Sequence, residues 1–120
     1  MVIGFDAHFC YLMQRYGRIS AYELVVAKLD EDILAQVQEK QPGFIFLEVT
    51  HADSFVWDLF KQLKTKDDTR AIPIVVCSWQ GVDLPDQPEC ADLYLRLPIL
   101  YEHFKAALDQ LSERNQERRE

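Results

Sequence analysis

Three side chains able to do chemistry stand at the ends of apolar runs. Asp6 closes the run Val2–Phe5, Glu48 sits near the end of Gly43–Val49 (GFIFLEV), and Ser78 follows Ile72–Cys77 (IPIVVC). Each has an ordinary structural use. Asp6 is suited to capping a helix that begins near His8, because a carboxylate takes up free backbone N–H groups there. Ser78 is equally a hydroxyl that closes a turn. His8 and His51 fall in loops near these carboxylates, and a histidine–carboxylate metal site would need a ligand spacing that is absent, so no metal is expected. His103 belongs to a later helix and should face solvent. Cys10, Cys77 and Cys90 are widely spaced with no CxxC pair, which speaks against a metal or redox centre. Cys77, inside an apolar run, reads as a buried small hydrophobe. No GxSxG, P-loop or GxGxxG is present. The chain is therefore not expected to be an enzyme, nor to carry a cofactor.

Composition narrows the class. The chain has 120 residues, 48% hydrophobic, with a formal net charge of −7. That is enough apolar material for one core. The negative balance excludes direct nucleic-acid binding, which needs a concentrated basic face. The one dense basic group, Arg114, Arg118 and Arg119, is interleaved with Glu113, Glu117 and Glu120. No apolar run approaches the roughly 20 residues that span a bilayer, and the start lacks the pattern of a secretory leader. A cytoplasmic location without membrane contact is expected.

The elements that would position these side chains alternate along the chain. Five short apolar runs read as strands: Val2–Phe5, Tyr22–Ala27, Gly43–Val49, Ile72–Cys77 and Leu93–Leu97. The third and fourth are almost continuously apolar, as strands covered on both faces are. Between them lie helical stripes. Phe9, Leu12, Met13 and Tyr16 form one, with Gly17 placed to end it. Ile33, Leu34 and Val37 follow an acidic start at Asp30, Glu31 and Asp32. Phe55, Val56, Leu59, Phe60 and Leu63 form the third, and Leu100, Phe104, Ala107, Leu108 and Leu111 the last. Strand–helix alternation predicts a three-layer, doubly wound α/β fold around a five-stranded parallel sheet. The fourth crossover, Ser78–Ala91, contains Gly81, Pro85 and Pro88 and should be mostly loop. We place a domain over residues 1–112 and a polar tail or linker start over 113–120.

Taken together, AYELVVAKLDEDILAQVQEKQPGFIFLEV, FKQLKTKDDTRAIPIVVCS and LYLRLP resemble the receiver domain of two-component response regulators. The resemblance covers about nine-tenths of the chain and implies a flavodoxin-like sheet of order 2-1-3-4-5. It also implies a phosphoryl-accepting pocket, of which this chain keeps less than half. Asp6 matches one acid of the Mg²⁺-binding pair, but its neighbour is Ala7. The acceptor position holds Glu48, Ser78 matches the hydroxyl, and the lysine position holds Leu97. Tyr94 matches the aromatic switch, though it also reads as a packed strand residue. The resemblance further implies a cis Leu97–Pro98 bond.

Mg²⁺ wants octahedral oxygen ligation, and phosphoryl transfer depends on neutralising spread charge. Losing one acid and the lysine removes much of both. Glu48 is then either an acidic mimic of a phosphorylated aspartate or, as preferred here, a solvated carboxylate at the mouth of a dead pocket. The expected function is a phosphorylation-independent pseudo-receiver that binds protein: a signalling kinase, an output domain or a regulator. Homodimerisation through the fifth strand and last helix is a further expectation. Trp79, Val82 and Leu84, on the irregular crossover, would form an interaction surface or else plug the gap left by the missing helix. The alternatives are a working phospho-switch and a small-ligand or nucleotide sensor.

Overall fold

Two apolar runs decide the centre of the molecule. Residues 45–49 and 74–78 are buried at every position, so neither strand has a wet face. Strands of that kind must carry helices on both sides, and parallel pairing follows because each is reached through a crossover. The computed structural model describes residues 1–28, 30–49, 54–78 and 93–118, and the side chains of 54, 55 and 112–118 lie outside that description.

In chain order the elements are β1 (Val2–Ile3), α1 (Ala7–Ile19), α2 (Ile33–Lys40), β2 (Ile45–Val49), α3 (Ser54–Thr65), β3 (Ile74–Ser78), β4 (Leu93–Arg96) and α4 (Tyr101–Arg118). The four strands form one parallel sheet in the order β1-β2-β3-β4. The expectation of five strands is corrected here. Tyr22–Ala27 does not form a regular strand among the described residues; it meets β1 through one parallel bridge, Val2 to Val26. The Val2 N–H donates to the Val25 carbonyl at 2.8 Å and the Ala27 N–H to the Val2 carbonyl at 2.9 Å. Beyond that, the Lys28 N–H and carbonyl are both taken by the buried Gln36 amide, at 2.9 and 2.8 Å. A side chain there does the work of a ladder partner.

Strand alternation divides the core in two. Ile3, Ile45, Leu47, Ile74 and Val76 face α2 and α3, meeting Ile33, Val37, Leu59 and Phe60. Val2, Phe46, Val75 and Cys77 face α1 and α4, meeting Phe9, Met13, Phe104 and Leu108. Phe46 stacks on Phe104 with centroids 5.2 Å apart. Burying each such side chain stabilises the fold by roughly 2–3 kcal/mol.

Two helix limits differ from the sequence reading. Gly17 does not end α1, which continues to Ile19. A Cβ at Gly17 would lie 2.7 Å from Leu24 Cγ, so the glycine serves close approach of the returning chain. Leu100 precedes α4 and is exposed. The helix itself runs on through the expected boundary at residue 112 as far as Arg118. Among the described residues, no helix is long and apolar enough to cross a membrane. The fourth crossover, with Trp79, Val82 and Leu84, lies outside the described residues, as do His51 and Cys90.

Candidate functional site

The carboxyl ends of the strands are where an open α/β sheet offers a site. β1 and β2 are in register with Val2 opposite Phe46 and Ile3 opposite Leu47. Continuing that register brings Glu48 beside the turn from β1 into α1. Its Oε1 accepts hydrogen bonds from the backbone N–H of Phe5 at 2.6 Å and of Asp6 at 3.0 Å. Glu48 is only 2% exposed. The expected solvated carboxylate is thus corrected. An acid drawn onto a buried strand needs donors, and the turn supplies two.

Asp6 itself turns the other way. It is exposed, and its Oδ1 accepts from the His8 N–H at 2.8 Å as the N-cap of α1. His8 therefore belongs to the first turn of α1, rather than to a loop. The turn is held close: a Cβ on Gly4 would lie 2.8 Å from both Cys10 Sγ and Phe9 Cδ1. A glycine at this place is the one sequence feature that accompanies so close a turn. The half-buried Cys10 thiol is pushed above its ordinary pKa by burial and by the carboxylates of Glu48 and Asp6. Burial, with Glu48 next to it in register, pushes Cys77 up as well.

The other half of the strand-end edge is apolar. Ser78 ends β3 and is 2% exposed; its carbonyl accepts from the Leu97 N–H at 2.9 Å. Leu97 is buried in the α1–α4 core with Ile99 and Phe104, and the Leu97–Pro98 bond is cis, as expected. Tyr94, opposite Val76, is half-buried against the α2–α3 core. Alternation along β3 assigns Ser78 to that same side, whereas Glu48 and Leu97 lie on the α1–α4 side. The residues expected to form one pocket are divided by the sheet.

A likeness now bears on this geometry. No protein-family model matches the chain, and no curated protein matches its sequence. Among solved structures, the solution structure of a response regulator protein from Burkholderia multivorans superposes with a TM-score of 0.67. The match covers 92% of this chain and 91% of that one, at 15% identity. The fold is receiver-like. At that identity the likeness is one of fold, and the site must be judged on its own atoms.

A receiver-like fold implies Mg²⁺ at this edge, and the described donors do not fit it. Mg²⁺ needs several oxygens converging on one point. Glu48 instead directs Oε1 at two N–H groups, Asp6 spends Oδ1 on its own helix, and the Ala7 side chain offers no oxygen. Among the described residues no three His, Cys, Asp or Glu side chains gather as a metal would require.

Proposed function

We propose that this chain is a pseudo-receiver, working without phosphoryl transfer as a protein–protein interaction module in signalling or regulation. The observation that carries the reading is the double hydrogen bond from the β1–α1 turn to Glu48. A phosphoryl acceptor must present a free carboxylate oxygen in line with the leaving group, next to a cation that spreads the charge. Glu48 has its Oε1 enclosed by two backbone donors, and the position that carries lysine in receivers holds a buried Leu97. Missing electrostatic stabilisation of that kind commonly raises a barrier by several kcal/mol. The partners that suit such a module are a signalling kinase, an output domain or a regulator. The absence of any needed cofactor, and a cytoplasmic location, are likewise part of the reading.

The test is incubation with a small phosphodonor and Mg²⁺, followed by intact mass measurement. An unchanged mass is expected. An adduct of about 80 Da, the mass of one added phosphoryl group, mapped to the peptide containing Glu48, overturns the proposal.

A further inference from the structure

Two features of the surface are complementary and lie against opposite faces of the sheet. The first is a trough of about 440 Å³ between the start of α2 and α3. Asp30, Glu31, Asp32 and Asp58 line it, and Ile33, Leu34 and Leu59 supply its apolar walls. Among the described residues, no lysine or arginine lines it. The second is the outer ridge of α1. Tyr11, Arg15 and Ile19 follow one another at four-residue spacing, so they stand in a row about 12 Å long. Arg18 lies beside them, and all four are exposed. Tyr11 at 56% and Ile19 at 59% are the two most exposed large hydrophobic residues among those described.

We infer that the α1 ridge of one copy docks in the acid-rimmed trough of a second copy. Helix-in-groove recognition needs apolar anchors along one ridge and a matching apolar floor; the row from Tyr11 to Ile19 and the Ile33–Leu59 walls provide these. Charge sets the register. Two guanidinium groups lie between the ridge's apolar ends, and the trough carries four carboxylates. Arginine suits such contacts because its planar fork pairs with carboxylates at little entropic loss. One chain cannot make the contact with itself, because α1 packs on the Val2–Phe46 side and α2 and α3 on the Ile3–Leu47 side. The association is therefore head to tail and does not close at two. With a net charge of −7, copies repel at long range. Contact pairs prevail once salt shortens the screening length to about 8 Å. The inference rests on the reading that the chain works through its surface, and its test is independent of phosphodonor chemistry.

The experiment is sedimentation velocity of the full chain over a wide concentration range at about 150 mM salt. The weight-average mass should rise with concentration, passing twice the chain mass without a plateau. Two variants then isolate the contact: R15Q/R18Q removes the ridge's charge and keeps the trough, and E31K/D58K removes the trough and keeps the ridge, with no new charge pair between them. Asp32 is left alone because it caps α2. Each variant alone should stay at the chain mass, while their equimolar mixture should give a capped species of twice that mass. All four substitutions are at exposed positions, and unchanged circular dichroism confirms folding. A wild-type chain that stays at its own mass throughout, a variant that still self-associates, or a mixture that remains monomeric each overturns the inference. Monomer at every concentration would leave the trough to a basic amphipathic helix of another protein.

Discussion

The two halves of the strand-end edge have been closed in different ways. At the β1–β2 corner a carboxylate remains, and it is held by the Phe5 and Asp6 N–H groups. At the β3–β4 corner stands Leu97, buried with Ile99 and Phe104. One corner is satisfied by hydrogen bonds, the other by volume. The comparison teaches that one edge of a sheet can be sealed by two kinds of physics. A buried acid must find donors, whereas an apolar side chain needs only a space that fits its bulk.

This contrast is open to attack by mutation. Glu48→Ala removes two charge-assisted bonds, orphans two N–H groups and leaves a void, so it should lower stability by about 3 kcal/mol. Glu48→Gln keeps an acceptor oxygen and should lose about 1 kcal/mol. Urea unfolding of both variants measures the difference, and equal losses would mean that the oxygen is not what matters. At the apolar corner the order should follow volume. Leu97→Ala should lower stability by about 2–3 kcal/mol, whereas Leu97→Met, nearly equal in bulk, should stay within about 1.5 kcal/mol. A methionine variant as unstable as the alanine one would break the comparison.

Asp6→Ala tests the exposed neighbour of the clamp. It should remove only the α1 cap, about 1 kcal/mol, and leave the Glu48 bonds intact because those use the backbone N–H groups of residues 5 and 6. A loss as large as that of Glu48→Ala would join the two carboxylates into one unit. The smallest effect concerns the thiols. Reactivity follows the thiolate, and both described thiols have raised pKa values. Raising a thiol pKa reduces the thiolate at a given pH, so the labelling rate of Cys10 should climb at higher pH than for a free cysteine. Cys77 should label only on unfolding. Peptide mapping of alkylated protein separates them from Cys90, and prompt labelling of Cys77 at neutral pH would contradict its burial beside Glu48.

Much of the architecture was legible because it rests on periodicity. The nearly continuous apolar runs at 45–49 and 74–78 announced strands covered on both faces, and the stripes from Phe9 to Tyr16 and from Phe104 to Leu111 announced helices. The second strand misled. YELVVA has strand composition, but Gln36 takes both backbone groups of Lys28 and only Val26 bridges to β1. Propensity does not reveal such a side-chain substitute for a ladder. Gly17 misled similarly, since a glycine near a helix end serves either a cap or a close approach, and the position of Leu24 decides which.

The sequence by itself determined that this chain is an acidic α/β protein with Ala7, Glu48 and Leu97 at the ends of its apolar runs. Residue types suffice for that, because the side chains of Ala7 and Leu97 can supply neither a carboxylate nor a cation. Only the tertiary structure decided what became of Glu48. Whether an acid is wet or buried depends on donors 42 and 43 residues away in the chain, and on which face of the sheet alternation turns it towards. No local pattern contains that distance.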